Sequence, residues 1–416
     1  MKKNLYIFTG TFPYDGAAEG SFINLEINSL VESGLFNVIV FPGSLKGKKY
    51  DIHPDCVVEN SFVWYSQLPF IQKIIIPLKY LFTLFFWQTF IKYGRITILP
   101  HNFINYAIQN ARYSFLKKKF SAFIENNDID LDNSIFYTFW FSTDTKALSR
   151  IKSSQYPNMK LITRAHGSDL YEYIDAKFFR NKDIEIINNV YTVSDFGREY
   201  LSELYPKYKD KFKVGKIGTL NLEPRNIFSQ DSKIRVVSCS SLIPLKRVNR
   251  ILDSLQTFAS TKKIQLEWTH FGDGSERSEI EQMLKQISDN PYFNGNLKGN
   301  RPNTEVLDYY KNNQVDIFIN LSTSEGVPIS IVEAMSYSIP IVATKVGGVS
   351  ELVNEQTGCL VSKDFETIEV VAAIEKIVSS PNYAMYRENA YKHWEKTHNA
   401  LTIYKTLVLN ISNTAD

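Results

Sequence analysis

The chain has 416 residues, 44% of them hydrophobic and 22% charged, and its 47 basic and 44 acidic residues leave a net charge of +3. This length exceeds one ordinary hydrophobic core, so two domains of roughly 150–200 residues are expected. The near balance of charge argues against a general nucleic-acid binder. Three scattered cysteines without metal spacing indicate free or buried thiols in a reducing cytosol rather than disulfides or zinc.

The first segment, NLYIFTG (4–10), predicts a β-strand. Gly10 and Pro13 end its apolar run before the run reaches the length of a signal-peptide core. A helical pattern over 21–34 and a strand over 36–42 follow. The chain therefore starts with the strand–helix–strand rhythm of a parallel sheet.

The segment FIQKIIIPLKYLFTLFFWQTFIKYGR (70–95) is dense in aromatic and aliphatic residues and carries lysines within it and at its end. It falls short of the ~18 uninterrupted apolar residues that a membrane-spanning helix requires. Two interpretations fit: an interfacial helix with lysines facing acidic headgroups, or a helix pair buried in the core. Three lysines at 117–119 favour the first interpretation slightly.

Strand patterns recur over 134–140, 158–166 and 189–194, and the rhythm restarts after residue 225. Later strands are expected over 234–240, 264–272, 315–322 and 339–344, with helical patterns between them. The polar segment 218–232 has a proline and no periodicity, which is typical of a linker. The sequence thus predicts an α/β protein with two Rossmann-like parallel-sheet domains facing a cleft. Ligands of such sheets bind at the carboxyl ends of strands.

Two glutamates stand out in SEGVPISIVEAMSYSIP (324–340) because their surroundings are apolar. Glu325 follows a predicted strand, and a helix is expected from about Pro328 to 337, with Glu333 inside it. A free helix N-terminus attracts phosphate. An unpaired buried carboxylate would cost several kcal/mol, so Glu333 needs donors. Sugar hydroxyls would serve, and so would an internal salt bridge to Lys or Arg.

Other polar residues also follow predicted strands. His166 ends one strand before a glycine, and it fits either a structural or a catalytic role. Lys246 begins a helix, where a cation could neutralise a diphosphate. The glycine turns 271–276 and 346–351 are weak signals when taken alone.

Together these segments resemble glycosyltransferases of the GT-B fold, in the large retaining glycosyltransferase family 4. The similarity covers nearly the whole chain and is densest over 234–362, while residues 60–130 match poorly. The family's pair of glutamates with seven residues between them matches Glu325 and Glu333. The resemblance implies domains over 1–222 for the acceptor and 223–385 for the nucleotide sugar, and a closing helix, about 386–412 within a 386–416 segment, that crosses back onto the first domain.

The resemblance also implies roles for single residues. Glu333 would hold ribose hydroxyls, Glu325 the donor sugar near its anomeric carbon, and Lys246 the diphosphate. His166 would face the sugar. The remaining donor-binding residues that it implies are Gly20 in the opening loop 10–22, Gly326, Val327, Ile329, Gly272, and Leu297 in the segment 293–300 along the nucleobase.

The sequence departs from the family at the phosphate loop. Ser240 and Ser241 stand where Gly-Arg is frequent, and Arg247 replaces a glycine. This puts the second cationic phosphate contact in doubt, and Ser241 or Arg247 is expected to supply part of it. Lys246 and the helix N-terminus are expected to stabilise the leaving diphosphate, so no metal, other cofactor or covalent nucleophile is expected.

The implied reaction is retaining transfer from a nucleoside diphosphate sugar to a membrane-linked glycan, in the assembly of a bacterial surface polysaccharide such as lipopolysaccharide or capsule. The implied location is the cytoplasm, with peripheral contact of residues 70–95 with the inner membrane. Two rival enzymes, a GT-B sugar-nucleotide epimerase and a phosphorylase, would need an acid–base set or a pyridoxal-binding lysine, and neither pattern is evident. A non-catalytic nucleotide-sugar-binding scaffold is the rival of another class.

Overall fold

The computed structural model describes residues 2–14, 19–64, 68–172, 174–223, 225–226, 228 and 231–415. The chain divides into two compact units. Unit 1 comprises Met1–Gly215 and Tyr404–Asp416, and unit 2 comprises Lys216–Ile403. The domain limits expected from the sequence stay predictions. Residues 15–18 of the opening loop, and residues 224, 227, 229 and 230 of the expected linker, lie outside the described residues.

Unit 1 is built on a parallel sheet of seven strands within its described part, in the order β3-β2-β1-β4-β5-β6-β7. Most of its strands are continuous apolar runs, as expected for a parallel sheet covered on both faces. β1 lies between β2 and β4, so the strand order reverses there. The strands are β1 (Lys3–Thr9), β2 (Phe36–Pro42), β3 (Val57–Val58), β4 (Ser134–Thr138), β5 (Lys160–Ala165), β6 (Asn189–Thr192) and β7 (Phe212–Val214).

Seven helices follow these strands in the described part of residues 1–215. Local signals start two of them: Ser142 and Thr145 form a capping box, and the Ser194 side chain accepts from the Gly197 N–H. The helices are α1 (Gly20–Glu32), α2 (Phe70–Tyr80), α3 (Leu84–Tyr93), α4 (Pro100–Asn126), α5 (Thr143–Ser154), α6 (Ile174–Ile186) and α7 (Asp195–Leu204).

The segment 70–95 forms two helices, α2 and α3, bent by 58° at a short break. Tyr80 and Phe86 on their inner side join Tyr106 of α4 in a small buried cluster. Many outer side chains are exposed, so the helix pair is buried on its inner side only. Within the described residues, no single helix has both the length and the apolarity to cross a membrane, while this bent pair passes on length and composition alone.

Unit 2 has a second parallel sheet, with six strands in its described part, in the order β10-β9-β8-β11-β12-β13. β8 lies between β9 and β11, so the strand order reverses there as it does at β1. Two large apolar clusters cover the sheet. The strands are β8 (Ile234–Cys239), β9 (Leu266–Phe271), β10 (Phe293–Leu297), β11 (Ile317–Asn320), β12 (Ile341–Thr344) and β13 (Gly358–Val361). The predicted parallel α/β architecture is confirmed.

The helices of unit 2 alternate with its strands. Six of them, through α13, connect or follow the strands, α14 follows α13, and α15 crosses the division so that its residues from Tyr404 onward belong to unit 1. They are α8 (Val248–Lys262), α9 (Arg277–Gln286), α10 (Asn303–Asn312), α11 (Ile329–Ser336), α12 (Val349–Leu352), α13 (Thr367–Val378), α14 (Tyr383–Thr397) and α15 (Ala400–Ser412).

The closing helix expected over 386–412 is two helices, α14 and α15. The helix is interrupted at His398 and Asn399. There the Thr219 N–H donates to the His398 carbonyl, and the Ala400 N–H donates to the Thr219 carbonyl. The Asn399 side chain then accepts from the Leu401 N–H. These bonds to a distant strand-like residue replace those of a continuous helix.

The described part of the expected linker packs within unit 2. Asn226 is buried, and its side-chain amide donates to the carbonyls of Tyr310 and Asn313 at 2.5 and 2.6 Å. Arg387 donates to the Asn226 carbonyl at 2.7 Å. These contacts anchor part of the segment that composition suggested to be a linker.

Candidate functional site

In unit 2, the structure brings together the predicted site residues Lys246 and Glu325. Lys246 ends a short 3-10 turn after β8, and Glu325 follows β11, which is the neighbour of β8 in the sheet. Lys246 Nζ lies 2.6 Å from Glu325 Oε1. The Thr323 N–H donates to the Leu245 carbonyl and so joins the two loops. The pair therefore lies at the carboxyl ends of two strands where the strand order reverses, the usual ligand position of such sheets.

The second glycine turn holds the Glu325 loop in place. Gly347 has φ +48, and a Cβ there would lie 1.8 Å from the Glu325 carbonyl oxygen. The Gly348 N–H donates to the Gly326 carbonyl at 2.9 Å. Since only glycine allows this close approach at a positive φ, the turn at 346–351 positions Glu325.

Glu333 is buried in the first turns of α11, with 5% of the residue exposed. Asn303, the first residue of α10, donates from Nδ2 to Glu333 Oε1 at 2.8 Å. Burial raises the pKa of Glu333 to about 7, against the opposing effect of the Asn303 hydrogen bond. In the described part of the chain, no Lys or Arg pairs with this carboxylate, so the internal salt bridge, one of two interpretations of Glu333, is wrong there.

The N-terminus of α11 follows Glu325 directly. Pro328 is the N-cap, one residue earlier than the first helical residue Ile329. The first N–H groups of a helix have no acceptor within it, and they favour an anion. The expectation that Gly326, Val327 and Ile329 contact donor phosphates is compatible with this geometry and stays a prediction.

Arg247 was expected to contact the donor phosphates, but in the structure it bonds to backbone carbonyls. Its guanidinium donates to the carbonyls of Leu321, Lys363 and Ser322 at 2.6, 2.8 and 3.0 Å. These bonds tie the start of α8 to the end of β11, and they direct the cation toward the backbone rather than toward a ligand. Ser241 is exposed beside this turn. A donor contact by either residue stays a prediction.

Gly272 and Leu297 lie at the ends of β9 and β10. A Cβ on Gly272 would lie 1.8 Å from the Ser240 carbonyl oxygen, and the Gly272 N–H donates to the Gly299 carbonyl at 2.9 Å. Gly272 therefore lets the loop after β8 approach closely. Leu297 is half-buried against the apolar cluster of unit 2. Their predicted donor contacts remain untested.

In unit 1, a carboxylate that the sequence interpretation missed organises the strand ends. Glu19 is 3% exposed and accepts hydrogen bonds from the N–H groups of Gly10, Thr11 and Phe12 at 2.9, 2.6 and 3.0 Å. The Trp140 indole donates to the same carboxylate at 2.6 Å. Four donors from the ends of β1 and β4 thus converge on one buried side chain.

His166 lies beside this cluster, at the end of β5. Its ring stacks obliquely on Trp140, with 4.3 Å between the ring centroids. Asp169 accepts from the His166 N–H at 2.6 Å and from the Phe141 N–H at 2.9 Å, and its Oδ2 lies 3.5 Å from His166 Nδ1. The ring is therefore fixed on its Nδ1 side, whereas Nε2 of His166 is buried and has no acceptor or donor among the described residues.

Gly20 opens α1 directly after Glu19. A Cβ there would lie 2.1 Å from the Tyr50 ring, so packing against Tyr50 requires glycine. This contact explains the glycine without a ligand, and the proposed phosphate contact of Gly20 stays a prediction.

Four residues with site geometry were not singled out from the sequence: Glu19, Trp140, Asp169 and Asn303. Asp169 lies three residues after His166, and that spacing was a usable signal. Trp140 follows Glu19 by 121 residues and Asn303 precedes Glu333 by 30, so no local pattern connects either pair.

The described residues contain no group of three or more His, Cys, Asp or Glu side chains arranged to hold a metal ion. The arrangement in unit 2 nevertheless suits an anionic, hydroxyl-rich ligand. It offers the cation of Lys246, a helix N-terminus, and carboxylate oxygens on Glu325 and Glu333 that accept from hydroxyl groups.

Comparison with known proteins finds relatives of unit 2. Residues 222–393 match the family model "Glycosyl transferases group 1". A 144-residue stretch is 33% identical to the O-antigen biosynthesis glycosyltransferase WbnH of Escherichia coli, and it covers 34% of this chain and 38% of that protein. The chain thus spans about two fifths of the length of the curated relatives it matches first. The family model and the named relatives support a glycosyltransferase.

Solved structures match over nearly the full chain. The apo lipopolysaccharide outer core galactosyltransferase WaaB has a TM-score of 0.69 at 13% identity, with 99% of each chain covered. Anabaena Alr3699/HepE in complex with UDP-glucose has a TM-score of 0.59 at 16% identity, with 98% of this chain and 99% of that chain covered. At these identities the likeness shows the fold, which is that of the GT-B glycosyltransferases.

Proposed function

We propose that the chain is a retaining glycosyltransferase that moves a sugar from a nucleoside diphosphate sugar to a lipid-linked glycan during the assembly of a cell-surface polysaccharide. The observation that carries this proposal is the constellation in unit 2. There a lysine–glutamate pair lies beside a helix N-terminus, and a buried glutamate has one internal donor. Relatives named for O-antigen biosynthesis support the polysaccharide context.

In this proposal, Glu333 accepts from the ribose hydroxyls of the donor, and Lys246 with the start of α11 binds the diphosphate. Departure of the diphosphate breaks the bond from the anomeric carbon to the phosphate oxygen, and negative charge develops on that oxygen. A nearby cation and free N–H groups stabilise such charge by several kcal/mol. Glu325 accepts from a hydroxyl of the donor sugar and keeps Lys246 oriented through their contact at 2.6 Å.

Retention follows if the acceptor hydroxyl attacks from the face that the diphosphate leaves. The new bond joins the acceptor oxygen to the anomeric carbon, and the hydroxyl proton passes to a phosphate oxygen of the leaving group. No covalent intermediate on the protein is needed. Unit 1 is proposed to take the acceptor, with His166 Nε2 accepting from a sugar hydroxyl. Residues 70–95 are proposed to contact the membrane that holds the lipid-linked acceptor.

Thermal unfolding with UDP, GDP, ADP and CMP, each with and without EDTA, tests the donor site in wild-type protein and in Glu333→Ala. A ligand at about 100 times its dissociation constant stabilises by roughly 2.7 kcal/mol. The proposal expects one nucleotide to stabilise the wild type, with or without EDTA, and not the variant.

A shift that EDTA abolishes would contradict the metal-free mechanism. A nucleotide shift without turnover of any donor, in the presence of lipid extract, would favour a non-catalytic binding protein. Inversion of one carbon of the donor's sugar, without transfer of that sugar, would favour an epimerase.

A further inference from the structure

The charged residues within segment 60–124 of unit 1 are all basic. The segment contains no Asp or Glu. It carries eight basic residues: Lys73, Lys79, Lys92, Arg95, Arg112, Lys117, Lys118 and Lys119. Arg112 is buried and pairs with Asp144, so the surface charge comes from the other seven. Its bent α2–α3 pair also exposes large apolar side chains, with Phe82 89%, Ile91 81% and Phe70 77% exposed. Basic charge beside exposed aromatic and aliphatic groups complements an anionic bilayer surface.

The inner side of the same helix pair borders a groove made of two adjoining cavities. The first, about 640 Å³, is lined mainly by apolar groups, among them Trp64, Ile75, Ile76 and Ala107. The second, about 870 Å³, has apolar walls that include Leu84, Phe85 and Ile186, and it also contains charged and hydroxyl groups. Thr83, Asn110 and Ser114 line both cavities. The two cavities therefore adjoin, and the cationic side chains are concentrated in the second.

Three cations line the second cavity: Lys146, Arg150 and Lys182. The Arg150 guanidinium stacks over the Phe85 ring at 4.1 Å, which fixes its plane at the junction of α3 and α5. Asp183 is the one carboxylate among the residues lining the described cavity. The net charge is therefore positive, and a phosphate is favoured there.

Asp183 adds a separate requirement. It is buried, and its Oδ1 accepts from Ser149 Oγ at 2.7 Å. Its Oδ2 is buried and has no hydrogen-bond partner among the described residues. A buried carboxylate oxygen without a donor is unfavourable, so a ligand that brings a hydroxyl next to its phosphate suits this cavity better than a bare anion.

We propose that the α2–α3 pair docks on an anionic bilayer and that the groove holds one phospholipid with a hydroxylated headgroup. The acyl chain lies in the first cavity, the phosphate contacts Arg150 and Lys182, and a headgroup hydroxyl donates to Asp183. This deepens the membrane contact in the proposed function and rests on it. It assigns that contact to a lipid site with named cations rather than to general attraction.

Sedimentation with vesicles tests the site in the full chain. We compare vesicles of phosphatidylcholine with vesicles that also contain phosphatidylglycerol. Each surface cation near an anionic membrane changes binding about fivefold. The proposal expects Arg150→Gln/Lys182→Gln to lose about 25-fold on the anionic vesicles. It expects Lys207→Gln/Lys209→Gln, which removes the same charge at exposed positions of unit 1 outside the basic segment, to lose fivefold or less. Lys182→Gln alone, at an exposed position, provides a variant that keeps the Arg150 packing.

Several results would overturn the lipid site. Equal losses in the two double variants would show general electrostatic attraction, and equal binding to both vesicle types would remove the anionic preference. Binding of free glycerol 3-phosphate as strong as that of the lipid would assign the cavity to a soluble phosphate. A dimer in sedimentation velocity that Trp87→Ser dissociates would show that a second copy covers the α2–α3 pair.

Stabilisation by nucleotide without vesicles separates the two proposals. The groove variants are expected to keep it, because the groove residues belong to unit 1 and the nucleotide contacts to unit 2. If wild-type protein binds anionic vesicles but no nucleotide, the proposed donor site fails and the docking surface stands. If nucleotide stabilises the protein but the groove variants bind vesicles like the wild type, the lipid site alone fails.

Discussion

Two buried glutamates, one in each unit, differ in how the protein satisfies them. Glu19 and Glu333 are 3% and 5% exposed. Glu19 receives three backbone N–H groups and an indole. Glu333 receives one side-chain amide, and burial raises its pKa to about 7. Burial alone therefore does not distinguish a carboxylate that holds the fold from one that awaits a ligand, whereas the count of internal donors does.

The same contrast separates the two strand-end regions. In unit 1 the donors of Gly10, Thr11 and Phe12 are used within the fold, and Glu19 fixes the tryptophan on which His166 stacks. In unit 2 the carboxylate of Glu333 retains acceptor capacity, and the adjacent helix N-terminus retains donors. Internal hydrogen bonds thus use the donors at the described strand ends of unit 1, whereas the strand ends of unit 2 retain groups for a ligand.

The largest expected effect belongs to Glu19. Glu19→Ala leaves four donors without their acceptor in a buried position, and we expect the free energy of unfolding to fall by about 3–5 kcal/mol. Urea unfolding measures it. Glu32→Ala, at an exposed position of the same helix, is the matched control and should change stability by less than about 0.5 kcal/mol. A loss of under 1 kcal/mol in Glu19→Ala would break the contrast between the glutamates.

Removal of the cation beside Glu325 should act on turnover. Lys246→Met takes away the charge that stabilises the leaving diphosphate, and we expect the initial rate of donor hydrolysis or transfer to fall roughly 10²–10³-fold. Lys345→Met, at an exposed position of unit 2, should leave the rate unchanged. Unchanged turnover in Lys246→Met would remove the lysine from the chemistry.

Stability at different pH values tests the unsatisfied state of Glu333. Its pKa in the folded protein is about 7 and its ordinary value is 4.5. The unfolded chain loses the proton first, so the free energy of unfolding falls as pH rises from about 4.5 to about 7. Glu333→Gln cannot ionise. Relative to wild type we expect it to gain about 2–3 kcal/mol between pH 4.5 and pH 8. If the free energy of unfolding, measured with urea, depends on pH in the same way in both proteins, the prediction is contradicted.

Nucleotide affinity should move in the opposite direction. Ribose hydroxyls donate better to a carboxylate than to a neutral carboxamide, so Glu333→Gln should weaken binding of the nucleotide about tenfold to a hundredfold at pH 8. Glu305→Gln, an exposed change on α10, is the control for calorimetric titration. Equal affinity in Glu333→Gln and wild type at pH 8 would exclude the carboxylate from the binding contacts.

The same titration at pH 5.5 gives the smallest effect. At this pH Glu333 is protonated in most molecules of the free protein. The affinity of the wild type for the nucleotide should therefore fall about tenfold from its value at pH 8. The Glu333→Gln variant should show little change. A parallel decrease in both proteins would assign the pH dependence to another group.

Much of the fold was predictable from local patterns. The apolar runs of β1, β8 and β11 indicate buried parallel strands, and they place Lys246 and Glu325 after strand ends. Three features were not predictable in this way. The break at His398 and Asn399 depends on bonds to Thr219, far away in the sequence. The packing of Asn226 and the bend between α2 and α3 likewise depend on tertiary contacts.

The site was predictable only where one motif contains it. Glu325 and Glu333 lie within one strand–helix segment, so their spacing is visible in the sequence. Asn303 and Trp140 reach their glutamates from other helices and strands, and Arg247 turns toward carbonyls that no sequence pattern reveals. A hydrogen-bond count around each carboxylate requires the fold.

The most direct test of the account compares a nucleoside diphosphate with its 2′-deoxy and 3′-deoxy forms, by calorimetric titration at pH 8. The nucleotide is the one that stabilises the protein against heat, and the proteins are the wild type and Glu333→Gln. The account predicts that loss of a ribose hydroxyl weakens wild-type binding about tenfold and leaves the variant nearly unaffected, since hydroxyl and carboxylate interact as a pair. An equal loss in both proteins, or no loss in either, would contradict the claim that Glu333 is kept buried for the donor's ribose.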